Sequence, residues 1–126
     1  MAFVAWMSSV ALSILMMATS ALAVEPDCGP RPAPPALFDP ETATREEVMA
    51  TKTAFEAYQD ANTAYLDCLE AFAQSDDFAA LGQSVRQVRL EALNAELNAV
   101  QETEKAIADD FNEKAKAWME TRKRGG

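Results

Sequence analysis

Cys28 and Cys68 are the two residues of this 126-residue chain whose type and placement point to specific chemistry, a covalent bond with each other. They stand too far apart for a redox dithiol motif. In an oxidising compartment two thiols of a small chain pair, whereas in a reducing cytosol they are buried or incidental. Other chemistry lacks its parts. There is no His to serve as the ordinary base for a Ser or Cys nucleophile. Glu46, Glu47, Glu102, Asp109 and Asp110 fall mostly outside the apolar rows, and Glu104 only interrupts one, so they read as a solvated face. Tyr58 and Tyr65 read as core residues with wet hydroxyls. Asp76 and Asp77 lack the further loop oxygens that calcium needs. The chain is therefore expected to be no enzyme, with no catalytic residue, metal, cofactor or small-molecule substrate.

The compartment is read from the first residues. None of the 11 basic and 20 acidic side chains lies between Met1 and Ala23. That stretch is apolar from Phe3 to Met17 and ends in Ala21-Leu22-Ala23, the small-x-small pattern of a signal peptidase site. A signal peptide over 1-23, cleaved before Val24, is expected. The missing Lys or Arg near Met1 departs from the usual n-region, and the alternatives are a retained membrane anchor or a misassigned start. Glu25-Pro26-Asp27 before Cys28 does not fit a lipid anchor. A net charge of -9 argues against nucleic acid and against anionic membrane surfaces.

Downstream, the segment 24-43 holds all six prolines, which favours an extended polyproline arm and excludes a continuous helix. A ligand for a proline-binding module is the lesser reading. Thr44-Arg45-Glu46-Glu47 fits a capping box opening helix one, about 44-73, with a short turn at Asp39-Pro40-Glu41 before it. Val48, Phe55, Asn62 and Leu69 then recur on one row and Thr51, Tyr58, Tyr65 and Phe72 on the next, which predicts one buried stripe. Asn62 is its polar exception, either a register-setting residue in the seam or a solvated edge position. Ser75, followed by Asp76 and Asp77, caps a second helix of about 76-122, weakened early by Gly82. Its later row is Leu93, Leu97, Val100, Ile107, Phe111 and Trp118, interrupted by Glu104 and Lys114. Phe78, Leu81, Val85 and Val88 are rotated from that row. Either the seam slips between Val88 and Leu93, or the helix offers separate faces to separate partners. Arg122-Lys123-Arg124 suits a helix C-terminus, and the tail 123-126 is expected to fray.

The fold class expected is all-α: an antiparallel two-helix hairpin, its domain at 44-122, with a proline-rich N-terminal arm stapled by the disulfide. Folding about Ser75 puts Thr44 level with roughly residue 106, so helix two should outlast helix one by about 16 residues, or ~24 Å. Ile107, Phe111 and Trp118 would lie on that overhang and await a partner. The staple is feasible: Thr44 to Cys68 spans ~36 Å of helix, and the arm reaches ~50 Å. It would lay Leu37 and Phe38 over the groove near Phe55 and Tyr58, and closing a loop of about 40 residues would add ~4 kcal/mol. A rival packing sends Leu37 and Phe38 onto Phe111 and Trp118 with the cysteines apart. A third joins the cysteines of two chains.

The ordering of leader, Asp27-Cys28 with prolines, Asp39-Pro40-Glu41-Thr42-Ala43-Thr44 and an aromatic helix carrying Cys68 resembles small exported proteins of alphaproteobacteria with no assigned activity. The resemblance spans most of the chain after the leader and implies no catalytic residue. Together these readings lead to a non-enzymatic, periplasmic or secreted, helical interaction or structural protein of the cell envelope. It would form a homo-oligomer or bind an envelope protein, and meet the membrane only if the leader is retained. The alternatives are a chaperone-like holdase and a modulator of an envelope enzyme.

Overall fold

The computed structural model describes residues 26-125. The expected leader over 1-23, with its cleavage point before Val24, lies outside the described residues, as does Gly126 of the tail. Among the described residues there are three helices and no strand: α1 (Arg45–Ala73), α2 (Asp76–Ala79) and α3 (Gln83–Gly125). An extended segment precedes them and a disulfide joins Cys28 to Cys68, with Cα atoms 5.7 Å apart.

The start of α1 follows from its sequence. Thr44 Oγ1 accepts from the Glu47 amide at 3.2 Å, and Glu47 Oε2 accepts from the Thr44 amide at 2.9 Å, which closes the capping box. Just before it, Asp39 accepts through its carbonyl from the Thr42 and Ala43 amides and through Oδ1 from the Glu41 amide. This is the expected turn, and it reverses the chain from the arm into α1.

Beyond Ala73 the path differs from the expectation. Ser75 caps a helix, accepting through Oγ from the Phe78 amide at 3.2 Å, but that helix is only the four residues of α2. Gly82 interrupts, and α3 begins at Gln83. The physical cause is local. Gly82 is a poor helix interior residue, the Leu81 amide turns back to the Phe78 carbonyl, and Arg86 Nη1 donates to the Ala79 carbonyl, occupying an acceptor that a continuous helix would use. Phe78 is buried and meets Phe72 edge-on at 5.6 Å between centroids, so α2 folds over the end of α1.

The two long helices touch in a consistent order. Val48 and Trp118 line one hollow, Phe55 stacks on Phe111, Asn62 bonds Glu104, and Leu69 shares a groove with Leu97. As the α1 number rises the α3 number falls, so the helices run in opposite directions. The seam is the heptad row of each: Val48, Tyr58, Leu69 and Val100 are buried in it.

On one side of this seam lies the arm. Gly29 adopts a φ of +71°, which an L side chain resists, and this lets the chain leave the bridge at Cys28 in the direction of α1's start. Phe38 is the arm's buried anchor and meets Phe111 edge-on at 5.8 Å, while Phe111 stacks on Phe55 at 6.1 Å. The bridge and the Phe38–Phe111 contact, which had been set against each other as rival packings, are thus made together. An extended arm is long enough to satisfy both.

Candidate functional site

Three clusters carry the polar and exposed features of the fold. The first holds the arm. Arg31 is the one basic residue of the arm, flanked by Pro30 and Pro32. Its guanidinium donates to both carboxylate oxygens of Glu96 on α3, through Nε to Oε1 at 2.8 Å and through Nη2 to Oε2. Tyr65 on α1 donates its hydroxyl to Glu96 Oε1 at 2.9 Å. The Arg31 hydrogen bonds hold the Glu96 carboxyl below the usual carboxylate range, with Tyr65 assisting. Partial burial, and then the adjoining carboxylate, push the Tyr65 phenol up. The acid is kept ionised and the phenol neutral, an arrangement that ties elements together. Sequence reading had not linked these residues; the signal was the lone arginine among prolines.

The second cluster is a polar layer in the seam. Asn62 is only 2% exposed, and its Nδ2 donates to Glu104 Oε1 at 3.2 Å. Asn62 Oδ1 has no hydrogen-bond partner among the described residues. Of the two readings of Asn62, the seam position holds and the solvated edge does not. Asn62, the polar exception of the α1 stripe, meets Glu104, one of the two polar interruptions of the α3 row, because pairing them costs less than facing either with a hydrocarbon.

The third concerns what stays uncovered. Ile107, Phe111 and Trp118 had been expected on an overhang, but no such overhang forms. α1 reaches them: Arg45, Val48 and Met49 line a hollow with Trp118 and Arg122. All three are half-buried. The Trp118 indole N–H donates to the Ala43 carbonyl at 2.9 Å, and the Arg122 guanidinium lies 4.5 Å over its ring. The cause is the long excursion through residues 74-82, which shifts the register so that α1 and α3 end nearly level there. The mismatch falls at the opposite end. Ala73, the last residue of α1, shares a groove with Leu93, so about ten residues of α3, ~15 Å, run on past α1.

On this segment Val88 is 66% exposed, Val85 47% and Leu90 42%. Val85 and Val88 belong to the row set apart in the sequence, but that row does not form one face: Phe78 lies buried on α2 and Leu81 precedes α3, so that only Val85 and Val88 stand exposed on α3. Leu90, seven residues before Leu97 on the seam row, lines a groove of about 250 Å³ with Leu69, Ala73, Leu93 and Leu97. Among the described residues no helix is long and apolar enough to cross a membrane, and no cluster of three or more His, Cys, Asp or Glu could hold a metal ion. Asp76 and Asp77 stand exposed at the start of α2. Comparison with known proteins finds no matching family model, no matching curated protein and no matching solved structure.

Proposed function

We propose that this chain is an exported, non-enzymatic helical interaction or structural protein of the cell envelope, periplasmic or secreted. In form it is an antiparallel hairpin of α1 and α3 with its proline-rich arm clamped along one side, and it associates with itself or with an envelope protein. The observation that carries the association is the uncovered start of α3. Among the described residues Val85 and Val88 are exposed on the stretch that α1 does not reach, with Leu90 exposed at its edge and Met49 and Met119 exposed at the opposite end, and such surface marks contact sites. Export is supported by the Cys28–Cys68 bridge, a bond that persists in oxidising compartments, and by the leader pattern over 1-23.

Light scattering of the purified protein tests the association. An assembly larger than the monomer that Val88→Glu returns to the monomer is the expected result. A monomeric wild type that also captures no protein from envelope extract removes the reading. N-terminal sequencing of the protein recovered from its host should begin at Val24, and an intact Met1 on protein from the cytosol would contradict export.

The holdase reading is favoured by one observation, the apolar groove of Leu69, Leu90, Leu93 and Leu97, which is open to a client side chain. Suppression of client aggregation that Leu90→Glu abolishes would support it, and no suppression at several-fold excess would remove it.

A further inference from the structure

Lys52, Lys105 and Lys114 each reach a carboxylate four residues away, and Lys123 reaches one three residues away, the ordinary surface pairing of a helix. Arg45 and Arg122 stand in different company. Val48 and Met49 lie three and four residues after Arg45, and Met119 and Trp118 lie three and four residues before Arg122. Among the described residues neither arginine pairs with a carboxylate, although the chain carries 20 acids against 11 bases. Antiparallel packing of α1 and α3 brings the two together. Arg45, Val48, Met49, Trp118 and Arg122 line one hollow of about 380 Å³. Its apolar part is held in place: Val48 is buried, and the Trp118 indole N–H donates to the Ala43 carbonyl. Met49, half-exposed, is a flexible side chain that fits itself to what lies against it. Arg122 rests 4.5 Å over the Trp118 ring, and Arg45 is exposed on the α1 side.

We propose that this hollow binds a free alkyl carboxylate, with Arg45 and Arg122 taking the carboxylate and Val48, Met49 and Trp118 taking the chain. The two halves of the site ask for the two halves of such a ligand. An inorganic anion would answer the guanidiniums and leave the apolar part wet, and an uncharged hydrocarbon would cover the apolar part and leave both charges without a partner. Arginine also suits the task because its planar fork matches a carboxylate. A free anion is favoured over an anionic lipid surface by the charges around the hollow. Glu41, Glu46 and Glu47 are exposed at the start of α1 and the chain carries a net charge of -9, which repels a charged plane, while a single headgroup can enter between two guanidiniums. The site lies at the opposite end of α3 from Val85 and Val88, so it stands whether or not copies associate there.

Indole fluorescence reads the site directly. The chain has two tryptophans, Trp6 and Trp118, so the full chain with Trp6→Phe leaves Trp118 as the reporter. Decanoate below its micelle concentration should change Trp118 emission to saturation while helical circular dichroism holds, and decanol or inorganic phosphate should not. Arg45→Gln and Arg122→Gln, both at exposed positions, should each weaken decanoate by about ten-fold, the loss of one charge-assisted contact. Added salt should weaken it as well. No saturable change with decanoate overturns the proposal. Decanol binding as tightly as decanoate, or decanoate affinity untouched by both glutamine variants, overturns it by showing an apolar surface alone. Capture of the protein by phosphatidylglycerol vesicles with no response to free decanoate overturns it in favour of a membrane surface. Val88→Glu, which tests association, should leave decanoate binding unchanged.

Discussion

At Asn62 a buried amide is satisfied on one side only, since Nδ2 reaches Glu104 while Oδ1 is left without a partner among the described residues. An unsatisfied buried acceptor costs about 1–3 kcal/mol, so Asn62→Leu should raise stability by about 1 kcal/mol. Glu104, half-buried at the seam's edge, can then turn toward water. Urea midpoints of the two proteins check this, and a loss of stability would show that the pair contributes more than the orphaned oxygen costs. Such a residue trades stability for a defined alignment, since only one offset brings Asn62 opposite Glu104. At Glu96 the consequence is a pH dependence. Its folded pKa lies below the unfolded value, chiefly through Arg31, so its contribution is present above the ordinary carboxylate pKa and lost as pH falls through the lowered folded value. Thermal midpoints of wild type should therefore fall more steeply in acid than those of Glu96→Gln. Parallel curves would mean that the solvent-exposed pair contributes nothing to folding. The effect is modest because Arg31 and Glu96 both face water.

Each helix ends for a reason found within a few residues. Thr44 and Glu47 exchange hydrogen bonds at the start of α1, Ser75 caps α2, and Arg122, Lys123 and Arg124 sit in the last turn of α3, where the helix dipole favours positive charge. Thr44→Ala removes the hydroxyl that accepts from Glu47 and should cost about 1 kcal/mol in a denaturant titration. The effect should be seen as faster amide exchange in the first turn of α1; exchange that quickens only near Cys68 would place the weakness elsewhere. The break at Gly82 matters more for the architecture than any cap. It converts one expected helix into α2 and α3, and the nine residues from Gln74 to Gly82 carry the chain across the end of α1 before it turns back.

For the molecule as a whole, stability is concentrated in a narrow seam with few fully buried side chains. The bridge closes a loop whose ends are separated by 40 residues, which corresponds to about 4 kcal/mol in the chain-entropy account. In a small helical unit that is a large share of the total. Cys28→Ser should lower the urea-derived stability by up to that amount while leaving most of the helical signal at low denaturant. An unchanged midpoint would mean the unfolded chain is not restrained by the bridge. The bridge and the Arg31–Glu96 pair tie the arm to α1 and α3 respectively, so one short segment cross-links both long helices at the same level.

Much of this was legible in the order of residues. The capping box at Thr44, the heptad stripe of α1 from Val48 to Phe72 and the later row of α3 all follow from local chemistry and periodicity. Both are carried by neighbours in sequence. The partner of Cys28 was legible as a possibility, because reach along a polyproline arm can be calculated. What the folded structure alone decided is the offset of α3 against α1. Periodicity states which face of a helix is buried, but it is unchanged by sliding that helix a whole heptad along its neighbour. The offset was set by the path through residues 74-82 and by the meeting of Asn62 with Glu104, contacts between residues far apart in the chain. It covered Ile107, Phe111 and Trp118, uncovered the start of α3, and brought Arg31 to Glu96.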